Sequence, residues 1–456
     1  MVVTNDTIAA IATPPGRGGV AIIRLSGAHA PKIAKQLLAK GSHVNDLGIR
    51  EARFSSFLGE DGTLIDSGIL IYYPQPASYT GEHVVELQGH GGRVVMSMLL
   101  DRVIALGARQ ARPGEFTERA FVNNKIDLVQ AEAVAGLIDS VSSQAARSAI
   151  RSLEGEFSHN INDLLQRLVN LRMFVEGALD FPEEEIDFIR GSRVKEKLSD
   201  CVEGIGKILK GAQQGAMLGE GLRLAIVGRP NVGKSSLLNR LAGREAAIVS
   251  KTPGTTRDIV EENILIEGAP LNIRDTAGIR ESHDDIEEEG IKRALNAVSQ
   301  ADITLLMVEH DEDIGIEEQT VLDVCPDNVK MVVVRNKIDL AVNKQALLDK
   351  NNGETVVFLS AKTGEGIDDL VQLLITIMGL SSMGEDVCMA RTRHLNALSE
   401  TEGFLNNGLQ HLENNNTLEL LAEDLRLAQE SLGTITGSFV ADDLLAEIFS
   451  NFCIGK

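Results

Sequence analysis

The sequence predicts a multidomain fold: an N-terminal α+β domain, an all-α helical domain in two pieces, and a parallel-sheet α/β domain inserted between those pieces. Three changes of pattern carry this reading. Residues 1–120 alternate short apolar runs with Gly-rich turns, residues 121–218 space their apolar positions by three and four, and residues 219–380 return to strands, now alternating with helices. A chain of 456 residues also exceeds one ordinary core, so two to three domains are expected.

In the first domain the expected strands are "TIAAIA", "GVAIIRL", "DSGILIYYP" and "HVVELQGHGG", followed by the helix-like "VVMSMLLDRVIALGA". From "PGEFTERAFVNNKIDLVQAEAVAGLIDS" the helical spacing begins and continues with few Gly or Pro. The runs "RLAIVG", "ILIEGAPLNIRD", "ITLLMVEH", "KMVVVRNK" and "TVVFLS" then read as strands of a parallel sheet joined by crossover helices. Residues 381–456, with "RHLNALSETEGFLNNGLQHLE" and "LELLAEDLRLAQESLGTITG", are helical again and too few for a large core of their own. They are expected to pack with residues 121–218, which makes the helical domain discontinuous.

A formal net charge of −22 favours solubility and argues against non-specific binding of polyanions over a broad surface. A nucleic-acid partner would need a local basic patch, or one lent by another protein. The cysteines Cys201, Cys325, Cys388 and Cys453 lie far apart and form neither a disulfide framework nor a zinc pair, which suits a reducing, cytoplasmic setting. No secretory leader and no uninterrupted apolar stretch of membrane-spanning length is seen, so no membrane role is expected.

The chemistry is concentrated in four motifs at predicted strand ends. In "GRPNVGKSSLLNR", Gly228 and Gly233 let the backbone turn so that successive N–H groups face phosphate oxygens. Lys234 reaches the β- and γ-phosphates, Ser235 ligates Mg²⁺, and Asn231 and Ser236 complete the loop. "RDTAG" places Asp275 near the metal and the Gly278 N–H toward the γ-phosphate. "VVVRNKIDL" ends a strand with Asn336, Lys337 and Asp339 as nucleotide-binding residues, and the Asp339 carboxylate can accept from both N1–H and the 2-amino group of guanine. The loop Ser360, Ala361 and Lys362 in "LSAKTGEG" is available to guanine O6. The nucleotide is therefore GTP, and residues 222–380 resemble the translation-factor-like GTPases.

Where regulatory GTPases place a water-orienting Gln after their D-T-A-G, this chain has Ile279, followed by the acidic run "ESHDDIEEEG". The preceding "IVSKTPGTTRDIV" offers Thr255 and Thr256 to the metal and γ-phosphate. Arg257 beside them reads either as an arginine finger or as one half of an ion pair within the switch. Asn231 reads either as a ligand for a monovalent cation or as a tolerated turn residue.

"DTIAAIATPPGRGGVAIIRLSG", "YTGEHVVELQGHGG", "RPGEFTERAFVNNKIDLVQAEAV" and the terminal "CIGK" resemble the tRNA-modification GTPase family MnmE, also called TrmE, over the full length. The resemblance implies an N-terminal domain that dimerises and binds 5-formyltetrahydrofolate or another one-carbon tetrahydrofolate. It also implies a P-loop G domain activated by K⁺-dependent dimerisation. In that family a flavoprotein, MnmG, joins in a heterotetramer or larger complex to add an aminomethyl or carboxymethylaminomethyl group to C5 of the wobble uridine of certain tRNAs.

Carried onto this sequence, Asn231, Ser250, Thr252 and Thr255 would hold K⁺, which supplies the charge an arginine finger gives elsewhere, Ser235 and Thr256 would hold Mg²⁺, and Glu287 would be the catalytic Glu. Arg24, Glu82, Lys125 and Lys456 would bind folate. From the residues alone Arg24 reads as an edge-strand residue, Glu82 as a first-turn helix acid and Lys125 as a surface lysine. Cys453 in "CIGK" mimics a prenylation box, but Gly455 and Lys456 do not suit one; a place at the modification centre is the family-based alternative. Ser250, where Thr is common, and Val232 are the small departures. A GTPase switch for ribosome assembly or signalling is the competing reading, separated from the first by a folate pocket.

Overall fold

The structure is a computed structural model that describes residues 6–38, 47–180, 193–243, 261–266, 269–275, 296–312, 314–326, 329–341, 348–351, 354–378, 387–414, 418–438, 442–450 and 452–455. Two compact units divide the chain, Met1–Ala135 with Gln429–Lys456, and Gly136–Ala428.

In the first unit a mixed sheet has the order β3-β4-β5-β2-β1-β6. Its strands are β1 (Ile8–Ile11), β2 (Gly18–Ser26), β3 (Arg53–Leu58), β4 (Leu64–Tyr73), β5 (Val84–Gly91) and β6 (Arg109–Gln110). Period-two alternation decides its faces: Ile23 and Leu25 enter the core with Leu70, Val85, Leu87 and Phe57, beneath helices α1 (Ala30–Leu37) and α2 (Arg93–Ala105). Arg24 and Ser26 therefore emerge on the opposite face. Here β2 lies between β5 and β1, so Arg24 stands on a central strand and the edge-strand reading is corrected. Helix α3 (Glu115–Val122) and the first turns of α4 (Leu128–Asp139) follow; Leu128 and Ala131 pack with Leu445, Phe449 and Phe452 of the C-terminal residues.

The second unit opens with α5 (Ser143–Leu153), α6 (Glu156–Asp180) and α7 (Arg193–Glu220). Ser142 caps α5 by accepting from the Ala145 N–H at 3.1 Å. After Gly221 the chain enters a sheet of order β12-β13-β11-β10-β7-β9-β8, built from β7 (Leu222–Val227), β8 (Glu261–Ile266), β9 (Ala269–Asp275), β10 (Ile303–Glu309), β11 (Lys330–Asn336), β12 (Leu348–Asn351) and β13 (Glu354–Phe358). The five central strands are parallel, as the near-continuous apolar runs "LLMV" and "MVVV" require, because both faces of such strands are covered.

Both edge strands, β8 and β12, are antiparallel. The run "ILIEGAPLNIRD" is thus a hairpin, with β8 turning back on β9. Helices α8 (Lys234–Ala242), α9 (Ile316–Val324) and α10 (Ile367–Ile377) accompany the sheet. Leu237, Leu238 and Leu241 bury one face of α8 against Leu224, Ile226, Leu359 and Leu374. Helix α11 (Thr392–Asn414) returns to pack along α7, followed by α12 (Leu418–Thr436) and α13 (Asp442–Ser450). The three-part class predicted from the sequence is the observed one, with the seven-stranded sheet mixed at its edges.

Candidate functional site

The parallel strands β7, β10 and β11 end at one margin of the sheet, and β7 runs straight into the loop 228–233. Two glycines permit its path. Gly228 has φ +144° and a side chain there would meet the Met307 carbonyl oxygen at 2.3 Å; Gly233 has φ +105° and a Cβ would lie 2.2 Å from Asn336 Nδ2. Asn231 takes a left-handed conformation, φ +64°, in a non-glycine residue that tolerates it. Helix α8 starts at Lys234, so its unpaired N–H groups and the positive end of its dipole open onto the loop.

Lys234 Nζ folds over the loop and donates to the carbonyl oxygens of Gly228, at 2.6 Å, and Arg229, at 2.8 Å. Phosphate oxygens are stronger acceptors for this ammonium than backbone carbonyls. Ser235 and Ser236 in the first turn of α8 are exposed. Asp275 ends β9 and sits in register with Ile226, one residue before the end of β7. The loop is braced from outside by Arg229, whose Nε lies 2.8 Å from the buried Glu318 carboxylate, itself accepting from the Gly315 N–H at 3.0 Å.

The second half of the site is built around Asn336 at the end of β11. Its side chain, 3% exposed, donates to the Val232 carbonyl at 2.7 Å and accepts from the Ala361 N–H at 2.9 Å. One amide thereby ties the phosphate loop to the loop after β13. Lys337, at φ +67°, pairs with Glu309. The exposed Asp339 accepts from Ser360 Oγ at 2.6 Å, and the buried Ser360 hydroxyl also receives the Thr363 N–H at 3.1 Å. This leaves the outer edge of the Asp339 carboxylate toward solvent, where a guanine edge could meet it.

Asn231, Gly233, Lys234, Ser235, Ser236, Asn336, Lys337, Asp339, Ser360, Ala361 and Lys362 are thus arranged along one margin of one sheet, with Asp275 at the neighbouring strand end. Ser250, Thr252, Thr255, Thr256, Arg257, Gly278 and Glu287 lie outside the described residues, as does Lys456. Missed by the motifs are Arg229, and Arg240 near the end of α8.

The first unit holds a separate polar cluster on the face of its sheet turned away from the core. Arg24 pairs with its cross-strand neighbour Glu86 at 3.0 Å, and its guanidinium lies 5.9 Å from the Tyr79 ring centroid and 5.7 Å from that of Phe116. A further N–H reaches the Gly455 carbonyl at 3.5 Å. Glu82 lies in the bend before β5 and not in a helix; it accepts from Ser26 Oγ at 2.7 Å and from Arg119 at 3.1 Å. Arg119 also pairs with Asp6 at 2.7 Å and with Glu115 at 3.2 Å.

Burial would raise the Glu115 carboxyl, but hydrogen bonds from Arg109, the Arg112 N–H and Arg119 outweigh it and hold the group below its ordinary value. Lys125 is exposed, with its stem beside Gly81. The tail adds Cys453, exposed, whose carbonyl accepts from the Gly114 N–H at 3.3 Å. Arg119, Tyr79, Glu86 and Phe116 lie within the stretches that carry the family resemblance, but nothing local in them names a partner. Their roles come from long-range contacts alone.

A glycine-turned loop between a strand and a helix, with an Asn-Lys-x-Asp strand end beside it, defines a P-loop GTPase. The MnmE helical-domain model matches residues 128–453, and the model of the GTP-binding protein TrmE N-terminus matches residues 7–125. The tRNA modification GTPase MnmE of Hydrogenovibrio crunogenus is 52% identical over 453 residues, 99% of each chain. That of Nitrosomonas europaea is 50% identical over 455 residues, 99% of this chain and 100% of its own. Among solved structures, Era of Aquifex aeolicus is 31% identical over 40% of this chain and 66% of its own, with a TM-score of 0.28. The chain belongs to the MnmE family of tRNA-modification GTPases.

Among the described residues no helix is long and apolar enough to cross a membrane.

Proposed function

We propose that this chain is a cytoplasmic, homodimeric, potassium-activated GTPase that works with a flavoprotein of the MnmG type to modify C5 of the wobble uridine of certain tRNAs. The observation that carries the reading is the Asn336 bridge, which joins a complete phosphate loop to a guanine loop. Family membership over the whole length supports the RNA substrate. In this reading the domains divide near residues 120, 218 and 380.

The loop N–H groups and Lys234 would orient the β- and γ-phosphates, and Asp339 would select guanine. Ser235 and Thr256 would hold Mg²⁺, with Asp275 behind them; the ion neutralises phosphate charge when bound. Asn231 is exposed and held left-handed on the loop, which suits an oxygen donor to K⁺, with Ser250, Thr252 and Thr255 as its expected companions. Glu287 would orient the attacking water, and Arg257 would serve either as an arginine finger or as half of an ion pair within the switch.

The polar cluster of the first unit fits a one-carbon tetrahydrofolate in its donor set. It offers the exposed ring of Tyr79, a guanidinium and two carboxylates for an amide and amino edge, and the exposed Lys125 for an acidic tail, to which Lys456 would add a second basic group. Glu82 keeps lone pairs to spare beyond Ser26 and Arg119. Cys453 on the tail near this cluster is the candidate residue of the modification centre.

The test is steady-state GTP hydrolysis in matched KCl and NaCl at equal ionic strength over a range of protein concentrations. A rise specific to K⁺ that steepens with concentration is expected, and Asn231→Ala should abolish the difference between the salts. Equal rates in both salts for the parent protein would overturn the potassium assignment.

A further inference from the structure

Arg240 is assigned nothing by the motifs, yet it stands in the last turn of α8 with its guanidinium under the loop after β13. Nε donates to the Ala361 carbonyl at 3.4 Å, and Nη2 donates to the Lys362 carbonyl. The Ala361 C=O and the Lys362 N–H belong to one planar trans peptide, so they point in opposite directions. Holding that oxygen toward α8 turns the Lys362 N–H away from it. The preceding peptide plane is fixed through its own N–H, which Ala361 donates to Asn336. Two consecutive peptide planes are therefore set by two side chains, while the Lys362 N–H donates to no described residue.

We propose that Arg240 is a positioning residue for base selection: by holding the Ala361 and Lys362 carbonyls it aims the Lys362 N–H at the 6-oxo group of guanine. This rests on the reading of residues 336–339 and 360–362 as the guanine loops. A purine with an amino group at C6 would set donor against donor there, so the same peptide plane disfavours adenine. Arg240 itself touches no base. A planar fork that grips two successive carbonyls is a task a lysine performs only in part.

The experiment measures binding of three nucleoside diphosphates to the full chain: GDP, IDP, which keeps the 6-oxo group and lacks the 2-amino group, and the diphosphate of 2-aminopurine riboside, which does the reverse. Arg240→Met keeps the apolar stem and removes the fork. GDP and IDP affinities should each fall about tenfold, the scale of losing a charge-assisted hydrogen bond, while the 2-aminopurine nucleotide is unchanged. Arg240→Lys should fall between, and circular dichroism should show both variants folded.

Equal losses for all three nucleotides would make Arg240 a general support of the site and overturn the proposal, as would no loss for any. Asp339→Asn separates this from the underlying reading, because it should exchange GDP preference for XDP. If that exchange fails, the guanine loops are misassigned and the role of Arg240 falls with them; if it succeeds while Arg240→Met discriminates nothing, only the Arg240 proposal falls.

Discussion

The phosphate and guanine loops of the second unit and the polar cluster of the first are built by opposite means. In the second unit the backbone supplies most of the working groups: N–H groups of a turned loop, a helix start and two peptide planes, with glycines where side chains would collide. In the first, side chains supply them, from Asp6, Arg24, Tyr79, Glu82, Glu86, Glu115 and Arg119, which meet only because the sheet and α3 bring them together. A backbone-made site leaves a mark at fixed spacing in the sequence, whereas a side-chain-made one leaves scattered residues of ordinary type. The two should also fail differently, the first by local distortion and the second by unpaired charge.

The largest effect is expected at Gly233. Gly233→Ala puts a Cβ where Asn336 Nδ2 stands 2.2 Å away, at φ +105° that L residues rarely adopt. Asn336 must withdraw, and both the Val232 carbonyl and the Ala361 N–H lose their partner. Strain and the two lost buried hydrogen bonds together cost roughly 3 kcal/mol, so GDP affinity should fall at least about a hundredfold by fluorescence titration. The polar cluster of the first unit should be unaffected. Affinity within threefold of the parent would show that the loop is not held by its backbone path.

Arg119→Met is the converse, with a smaller effect. Arg119 is the shared partner of Asp6, Glu82 and Glu115, and Glu115 is only 2% exposed. Removing the guanidinium leaves Glu115 with Arg109 and the Arg112 N–H. Because Asp6 and Glu82 are partly solvated, the expected loss is about 2–3 kcal/mol in urea denaturation, below that for a fully buried pair. GDP affinity should not change.

The pH dependence has a definite sign. Glu115 in the fold lies below its ordinary value, so its contribution is present above the unfolded carboxyl pKa and is lost as pH falls through the folded value. The parent should therefore lose stability on acidification below about pH 4.5. Arg119→Met should flatten that slope, and an unchanged slope would refute the network as its source.

This contrast explains what could be read from the sequence. The strands "GVAIIRL", "HVVELQGHGG", "RLAIVG" and "ITLLMVEH" were legible by alternation or by unbroken apolar runs, and they are β2, β5, β7 and β10. Less legible were β3, "RFSSFL", where serines dilute the alternation, and α1, "APKIAKQL", at about two turns. The hairpin of β8 and β9 was hidden because "EGAP" breaks an otherwise continuous run without announcing a reversal. At the nucleotide site the sequence supplied residue types at fixed spacing, but the bridge that Asn336 makes to Val232 and Ala361 across the sheet margin was not legible in it. Arg119 could not be found at all, since nothing local in "EFTERAFV" marks it as the partner of Glu82.

The smallest effect sharpens the comparison at the C-terminal tail, where the four thiols differ in accessibility. Cys453 is exposed, Cys325 is half-buried, and Cys201 and Cys388 are buried; burial pushes the Cys201 thiol up to about 11. Brief treatment of the native protein with a charged thiol reagent near neutral pH should label Cys453 first, Cys325 more slowly and the buried pair only after unfolding, as read by mass spectrometry of peptides. The tail bearing Cys453 bridges to Pro113 through Ile454 and sends the Gly455 carbonyl toward Arg24. A label on Cys453 should therefore disturb the polar cluster, lowering stability by about 1 kcal/mol or less, as a surface change next to a partly exposed contact does, and leave GDP affinity as it was. Slow labelling of Cys453 in the native protein would mean that the tail is covered in solution, and its carbonyl contacts would then belong to a larger interface than the cluster alone.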